Sequence, residues 1–351
     1  PPYNTGNQFI YNDTFSSVND KHSSWLSFMK RRLLLAKQLL TSNGVIFIAI
    51  SQDELFYLKI LCDNIFGEEN FVNDFMWLHG KGKKNTWSRT MEQHTLCYAK
   101  NKSELKPFQD EEISSWAKNN QDDDPRGNWF SGSISFSETR SNPNNKNFYS
   151  IFSPSKIEWK RQWLISKNEM EENLQNNLIF FGTAPKYDKV PRLKIFNNTK
   201  SFVIPKNIIT NTESTRQAQN HLDDILGGKK IFDNPKPVSL IKHLIFISNL
   251  PKNALILDFF AGSGTTFESV LELNKDDGGK RKCILIQKDE KTWSIENGVK
   301  TAKKGSKIAF EKGFDSITDI TEKRIKTNMQ LYNSKYHIDD KIEIIELQEK
   351  N

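Results

Sequence analysis

The stretch "LILDFFAGSGTT", residues 255–266, sets an apolar run directly before an acid and a glycine-rich turn. Asp258, Phe260, Ala261, Gly262, Ser263, Gly264 and Thr265 therefore stand where a strand would hand over to a helix. Glycine lets a backbone turn sharply and approach a ligand, and the helix that follows would offer free N–H groups. A P-loop would need GxxxxGK[ST], which is absent, and a dinucleotide fingerprint would need a third glycine where Phe267 stands. The shorter turn suits a nucleoside bound without a pyrophosphate, although a tight strand–helix turn in any α/β protein carries the same glycines. The next apolar run, "CILIQ", ends in Gln287. In doubly wound folds that position hydrogen-bonds ribose hydroxyls, usually through an acid. Gln287 is either a weaker ribose partner or a polar residue leaving a buried strand.

A second cluster lies at "PPYN". Pro1 and Pro2 fix φ near about −65° and remove two donors, which makes a rigid turn presenting Tyr3 and Asn4. Such rigidity would be wasted at a true N-terminus, so the chain is expected to begin inside a longer one. A third cluster interleaves rings and cations: Trp129, Phe130, Arg140, Trp159, Lys160, Arg161 and Trp163. That mixture suits phosphate contact and base-edge reading, or the rings are simply a core. Lys83 and Lys84, in "GKGKK", form either a basic lip or a solvated loop.

These clusters need elements to hold them. "SSWLSFMKRRLLLAKQLLTSNG" places Trp25, Met29, Leu33, Ala36 and Leu40 near one helical face, with Asn43-Gly44 as its stop. "VIFIAIS" is a continuous apolar run of the kind buried on both faces of a parallel sheet. "SQDELFYLKILCDNIFG" reads as a second helix, and "NFVNDFMWL" and "HTLCYAKN" as strands around the loop "HGKGKKNTWSR". From about Glu104 to Phe232 helical periodicity nearly disappears, and a β-rich insert is expected with one short helix near Lys167–Asn176. A helix behind Pro235 and Pro237 then leads to the glycine turn, and the remainder reads as helical. The pattern is α/β.

The chain has 351 residues, with 50 Lys and Arg against 43 Asp and Glu, a net charge of +7. Such a balance suits a polyanionic partner. Cys62, Cys97 and Cys283 lie far apart without CxxC or Cys/His ligand spacing, so metal and disulfides are not expected and a reducing cytoplasm is. No apolar run approaches the roughly 20 residues of a membrane span.

Taken in order, "PPYN", the β-rich insert, "KPVSLIKHLI" and "LDFFAGSGTT" resemble the circularly ordered amino-methyltransferases of DNA in the β arrangement. "KDDGGKRKCILIQ", "FDNPKPVSLIKHLI", "ITDITEKRIK" and "GNWFSGSISF…RLKIF" make the chain similar to the modification (Mod) subunits of Type III restriction–modification systems, over residues 1 to about 326. The resemblance implies a Rossmann-like, S-adenosylmethionine-dependent methyltransferase fold with an inserted β-rich target-recognition module. It divides the chain into a catalytic half at 1–103, a target-recognition domain at 104–232, a cofactor-binding half at 233–326 and an unassigned tail at 327–351.

It further implies transfer of a methyl group to N6 of adenine in double-stranded DNA, in a bacterial cytoplasm. The residue before the prolines and the carbonyl of Pro1 would accept hydrogen bonds from the adenine amine. Pro2 is the rigid spacer, Tyr3 stacks on the flipped base, and Asn4 follows as in many relatives. Phe260 would pack near the cofactor, Gly262 and Gly264 would let the backbone approach, and Asp258 would lie near the methionyl amino group. Lys236 and Pro237 would close the methionine end, while Arg140, Lys160, Arg161, Lys83 and Lys84 are the candidate DNA contacts. His94 and Tyr98 fall on the strand beside the base pocket and read as core. A restriction (translocase/endonuclease) subunit and a second copy of the chain are the implied protein partners.

The acid expected before Pro1 lies outside the chain, and so does the strand leading into it. The chain thus reads as an N-terminal truncation of a longer modification subunit; taken as the whole molecule, it would lack an acceptor for the amine and have a gapped sheet. Cytosine-N4 methylation, which goes with Ser before the prolines, stays open, as does a fragment that recognises DNA without methylating it. A methyltransferase acting on glutamine or RNA would carry the cofactor turn first, against the order here.

Overall fold

The computed structural model describes residues 1–15, 21–84, 87–113, 117–197, 199–336 and 341–346, and of 80–84 the backbone alone. The chain divides into two compact units, Pro1–Gln109 with Ile204–Asn351, and Asp110–Val203.

In the first unit, α1 (Lys21–Leu39) buries Trp25, Met29, Leu33 and Ala36, one residue per turn on a single stripe. The run "VIFIAI" becomes β1 (Val45–Ile50), α2 spans Leu55–Phe66, and β2 (Phe71–Lys84) and β3 (Arg89–Ala99) form a long antiparallel pair. Two expectations change here. β1 lies antiparallel to β3, with Val45 opposite Ala99 and Ile50 opposite His94, not in a parallel sheet. Its continuous apolar character has the same cause nonetheless, because both faces are covered. Ile46, Ile48 and Ile50 join the core under α1 and α2, while Val45 and Phe47 join the core on the other side. The "GKGKK" stretch is not a loop, since its backbone continues β2 as far as Lys84 opposite Arg89.

The second unit is β-rich. β4 (Asp110–Ile113) will pair with a later strand, β5 is Trp129–Ser133, and β6 (Phe148–Phe152) and β7 (Glu158–Gln162) form a hairpin. Ser166 caps α3 (Lys167–Gln175) by accepting from the Glu169 amide. β8 (Ile179–Phe180) and β5 flank β9 (Arg192–Phe196), and β10 (Lys200–Val203) pairs with β4. Its core gathers Ile134, Ile151, Trp163, Met170, Ile179 and Phe181.

The chain re-enters the first unit through β11 (Ile208–Ile209), which pairs parallel to β2 at Met76 and Trp77. α4 (Thr215–Leu226) follows, opened by a Ser214/Gln217 capping box and closed by Gly227 in the left-handed region. Residues 204–232, expected in the insert, thus pack with the α/β unit. α5 (Val238–Ile247) leads to β12 (Leu255–Asp258), α6 (Thr265–Asp277) and β13 (Lys282–Leu285), with β13 parallel to β12 as the α6 crossover requires. β14 (Trp293–Glu296) and β15 (Val299–Ala302) form a hairpin where helix was expected. α7 (Lys307–Glu311) and α8 (Ile317–Tyr336) complete the fold. Among the described residues the strands of this unit lie in separate ladders, β1-β3-β2-β11, β12-β13 and β14-β15. No described helix is long and apolar enough to cross a membrane, and no described group of His, Cys, Asp and Glu could hold a metal ion.

Candidate active site

Asp13 builds the proline corner. One of its oxygens accepts from the amides of Tyr3 (2.6 Å) and Asn4 (3.0 Å), and the other from the amide of Thr5 (3.0 Å). The indole N–H of Trp25, fully buried on α1, donates to the carbonyl of Pro2 at 3.0 Å. Asn4 adopts φ +56°, a left-handed conformation that asparagine tolerates better than most residues. Its amide nitrogen donates to Glu54 (2.6 Å) and to the Lys21 carbonyl (3.1 Å), while its oxygen accepts from the Phe15 amide (3.2 Å). Asn4 is therefore buried and holds the corner together from within. The side chain that the corner presents is Tyr3, half-buried.

The glycine turn is built as tightly. Asp258 accepts from the Phe260 amide (3.0 Å) and the Thr266 hydroxyl (2.6 Å). Gly262 and Gly264 adopt φ +54° and +81°, where a side chain would be strained. Gln287, at the end of β13, accepts from the Gly262 amide at 2.8 Å and donates to the Lys288 carbonyl. It closes the turn itself. Ala261 is buried, with its amide donating to the Ile286 carbonyl (3.2 Å). Ser263 and Thr265 accept from Arg324 of α8 at 2.9 and 2.8 Å, so what they can offer a ligand is backbone.

Lys236 joins the two corners. Its ammonium donates to Gln93, stands 4.8 Å from the centre of the Tyr3 ring and 5.6 Å from that of Trp77. Its carbonyl accepts from the Thr265 hydroxyl, 3.3 Å away, at the foot of the glycine turn. Tyr3 in turn donates to Gln93 at 3.2 Å. Tyr3 and Phe260 also pack on the same core, that of Trp25, Met29 and Ile50. Pro237 is the N-cap of α5 and fixes the direction in which Lys236 leaves it. A cavity of about 60 Å³ beside Lys236 is lined by Trp77, Gln93, His94 and Thr95, and the Trp77 indole N–H there has no partner among the described residues. Burial lowers the Lys236 ammonium to about 7. Burial also pushes the Tyr3 hydroxyl well above its ordinary value, with Tyr11 and Asp13 adding to the effect. The phenol therefore stays neutral and keeps its proton for Gln93.

Sequence reasoning missed the residues behind these corners. Arg324 is fully buried on α8 and donates to Glu268 through Nε (3.0 Å) as well as to the turn. Glu268 accepts from His221 of α4 at 2.6 Å. The Thr321 hydroxyl donates to the Gly262 carbonyl at 2.5 Å. A signal existed for Arg324, because it falls in register with the buried Ile317, Ile320, Thr321 and Asn328 of α8, on the stripe that an apolar residue would fill. Asp13 and Glu54 carry no such signal in the sequence.

The remaining candidates spread over the chain. His94 is buried against Asp74 (2.8 Å), and Tyr98 is buried with its hydroxyl on Asp63 (2.7 Å). In the second unit Arg140 and Lys160 are exposed. Arg161 is only 11% exposed, paired to Glu138 at 2.7 Å and lying over Trp159. Trp129 and Trp163 are core. The side chains of Lys83 and Lys84 lie outside the described residues.

Comparison with known proteins fits this geometry. A family model described as DNA methylase, covering N6 and N4 enzymes, matches residues 1–297. The StyLTI Mod subunit of a Type III restriction–modification enzyme from Salmonella typhimurium is 31% identical over 93% of this chain and 52% of its own length. The EcoPI Mod subunit from Escherichia phage P1 is 32% identical over 93% of the chain and 57% of its own. The Type II methyltransferase M.KpnI from Klebsiella pneumoniae is 30% identical over 93% of the chain and 80% of its own. The chain spans about half the length of the two Mod subunits. With the proline corner and the glycine turn both inside the matched span, the chain belongs to the N6/N4 family of DNA methylases.

Proposed function

We propose that this chain forms the methyl-transferring part of a site-specific DNA methyltransferase that modifies N6 of adenine in double-stranded DNA. It would serve as the modification subunit of a Type III restriction–modification system in the bacterial cytoplasm. The observation that carries the reading is the meeting of the Tyr3 corner and the Gly262 turn at Lys236. An acceptor base and a methyl donor need to lie side by side, and these corners offer the two seats.

The residues present fit S-adenosylmethionine. The turn at 260–264 supplies a half-buried ring in Phe260 and glycine backbone that no Cβ obstructs, which suits a nucleoside. When bound, the cofactor supplies an electrophilic methyl group. The chain's own task is positioning. The amine of adenine is a poor nucleophile, because its lone pair is delocalised into the ring. The carbonyl of Pro1 would accept from that amine and draw its nitrogen toward sp³ character, in a corner fixed by Asp13 and Trp25. The Tyr3 ring would stack on a base taken out of the duplex. Gains of this kind come from alignment and local electrostatics, with no covalent enzyme intermediate.

The β-rich part of the chain would serve as the target-recognition domain, a reading supported by Arg140 and Lys160 being exposed on the second unit. A second copy of the chain and a restriction subunit are the proposed protein partners. Transfer of a tritiated methyl group from S-adenosylmethionine to duplex DNA tests the reading, with N6-methyladenine expected on nucleoside analysis. Recovery of N4-methylcytosine would reassign the base. Binding of DNA without any transfer would reduce the chain to a recognition fragment.

A further inference from the structure

Residues 280–312 carry ten Lys and Arg against four Asp and Glu, a surplus of +6 out of the chain's +7. Most acids nearby are already occupied. Asp289 pairs with Lys291, Glu311 with Lys307, and Asp315 with Lys300. Glu290 accepts from the Asn12 amide. Lys303 and Lys304, in the turn after β15, are exposed and have no ion-pair partner among the described residues. Their backbone is fixed. The Lys303 amide donates to the carbonyl of buried Thr292 (2.8 Å), and the Ser306 amide donates back to the Lys303 carbonyl (2.9 Å).

The turn is also pinned beside the candidate active site. Gly305 adopts φ +87°, and a Cβ placed there would come within 2.6 Å of the Phe9 carbonyl oxygen. Only glycine allows so close an approach. Phe9 lies in the loop that leaves Tyr3 and returns to Asp13, and that loop is tied again at Ile10 by Asp233 (3.2 Å). The two lysines therefore rest on the same frame as the Tyr3 corner.

We propose that the Lys303–Lys304 turn is a phosphate-binding element that grips the DNA backbone next to the base presented to Tyr3. It belongs to the α/β unit and is separate from the contacts proposed for the second unit. The inference rests on the DNA reading above. Phosphate contacts of this kind fix register without reading sequence, and each releases condensed counterions.

The test is a salt titration of duplex binding by the full chain, unmodified and as the Lys303→Ala/Lys304→Ala variant. Loss of two phosphate contacts should make the slope of log K against log salt shallower by about 2. The KM for DNA should rise, with kcat and S-adenosylmethionine binding unchanged. A Lys323→Ala variant, which removes an exposed charge on α8, should keep the original slope. An unchanged slope in the double variant, with the unmodified chain binding DNA, overturns the phosphate grip alone. An equal loss in the Lys323 variant also overturns it, because the effect would then be bulk charge. Failure of the unmodified chain to bind duplex would sink the DNA reading, and the grip with it.

Discussion

Arg324 stands on α8 where the helical stripe calls for an apolar side chain, yet it is paired on every side. Glu268, Ser263 and Thr265 accept from it, and Glu268 also receives His221. Removing one member of a buried ion pair leaves the other uncompensated. Arg324→Ala should cost about 3 kcal/mol in urea unfolding, with His221 limiting the loss, and should weaken S-adenosylmethionine binding because the glycine turn loses its brace. The His221–Glu268 contact adds a pH dependence. The hydrogen bond His221 donates to Glu268 raises the His221 pKa above 6.5, against the opposing effect of burial. Burial alone would raise the Glu268 carboxyl, but His221 and Arg324 outweigh it and hold it below 4.5. The histidine contribution is complete below its unfolded value and fades as pH rises through the raised one. The carboxylate contribution is complete above its unfolded value and fades as pH falls through the lowered one. The thermal midpoint of the native chain should therefore exceed that of His221→Gln most between about pH 4.5 and 6.5, and the gap should narrow on either side. Lys236 behaves in the opposite sense. Its folded value, about 7, lies below the ordinary 10.5, so the unfolded chain binds more protons between the two. Stability relative to Lys236→Met should rise across that interval, as urea midpoints at several pH values would show.

At the level of elements, much of the α/β frame was legible. α1, α2, α5 and the β12–turn–α6 unit have periodic or continuous apolar patterns that tertiary packing respects. The β1 orientation was not legible, because a run buried on both faces looks the same in parallel and antiparallel ladders. The β14–β15 hairpin did leave a signal that went unread. Asn297-Gly298, both at positive φ, is the preferred two-residue turn between alternating segments. α4 was hidden by its composition, since only Ala218, Leu222 and Leu226 are buried among polar residues. The glycine turn gives a test at this scale. Gly264→Ala would force an L side chain to φ +81° with its Cβ 3.4 Å from Thr321, costing about 1–2 kcal/mol. The effect should appear both in the urea midpoint and as weaker cofactor binding, whereas Gly227→Ala, open at its Cβ, should affect the midpoint alone.

Across the whole molecule, the change of texture near residue 104 and its return near 233 bracket a compact unit at 110–203. The excess on the far side arises because β11 is only two residues long and α4 is polar, so neither announces that the chain has rejoined the α/β unit. The glycine turn and the proline corner were legible as residues. Their meeting was not derivable from spacing, since Tyr3 and Lys236 are 233 positions apart, and it came only with the family resemblance. Leu35 and Leu39 of α1 and Phe56 and Ile60 of α2 are exposed apolar side chains, and we propose that the second copy of the chain covers them. Leu35→Glu combined with Ile60→Glu should turn a dimer into a monomer in sedimentation velocity, with the far-UV spectrum unchanged. A native chain that sediments as a monomer refutes that partner.

One carboxylate, that of Asp13, receives three successive amides at the Tyr3 corner. A bend shaped that way is held by contacts within the chain itself. Under the proposed function, the entropy of arranging it would be excluded from the encounter with DNA, which would leave more of the contact energy for extracting the base.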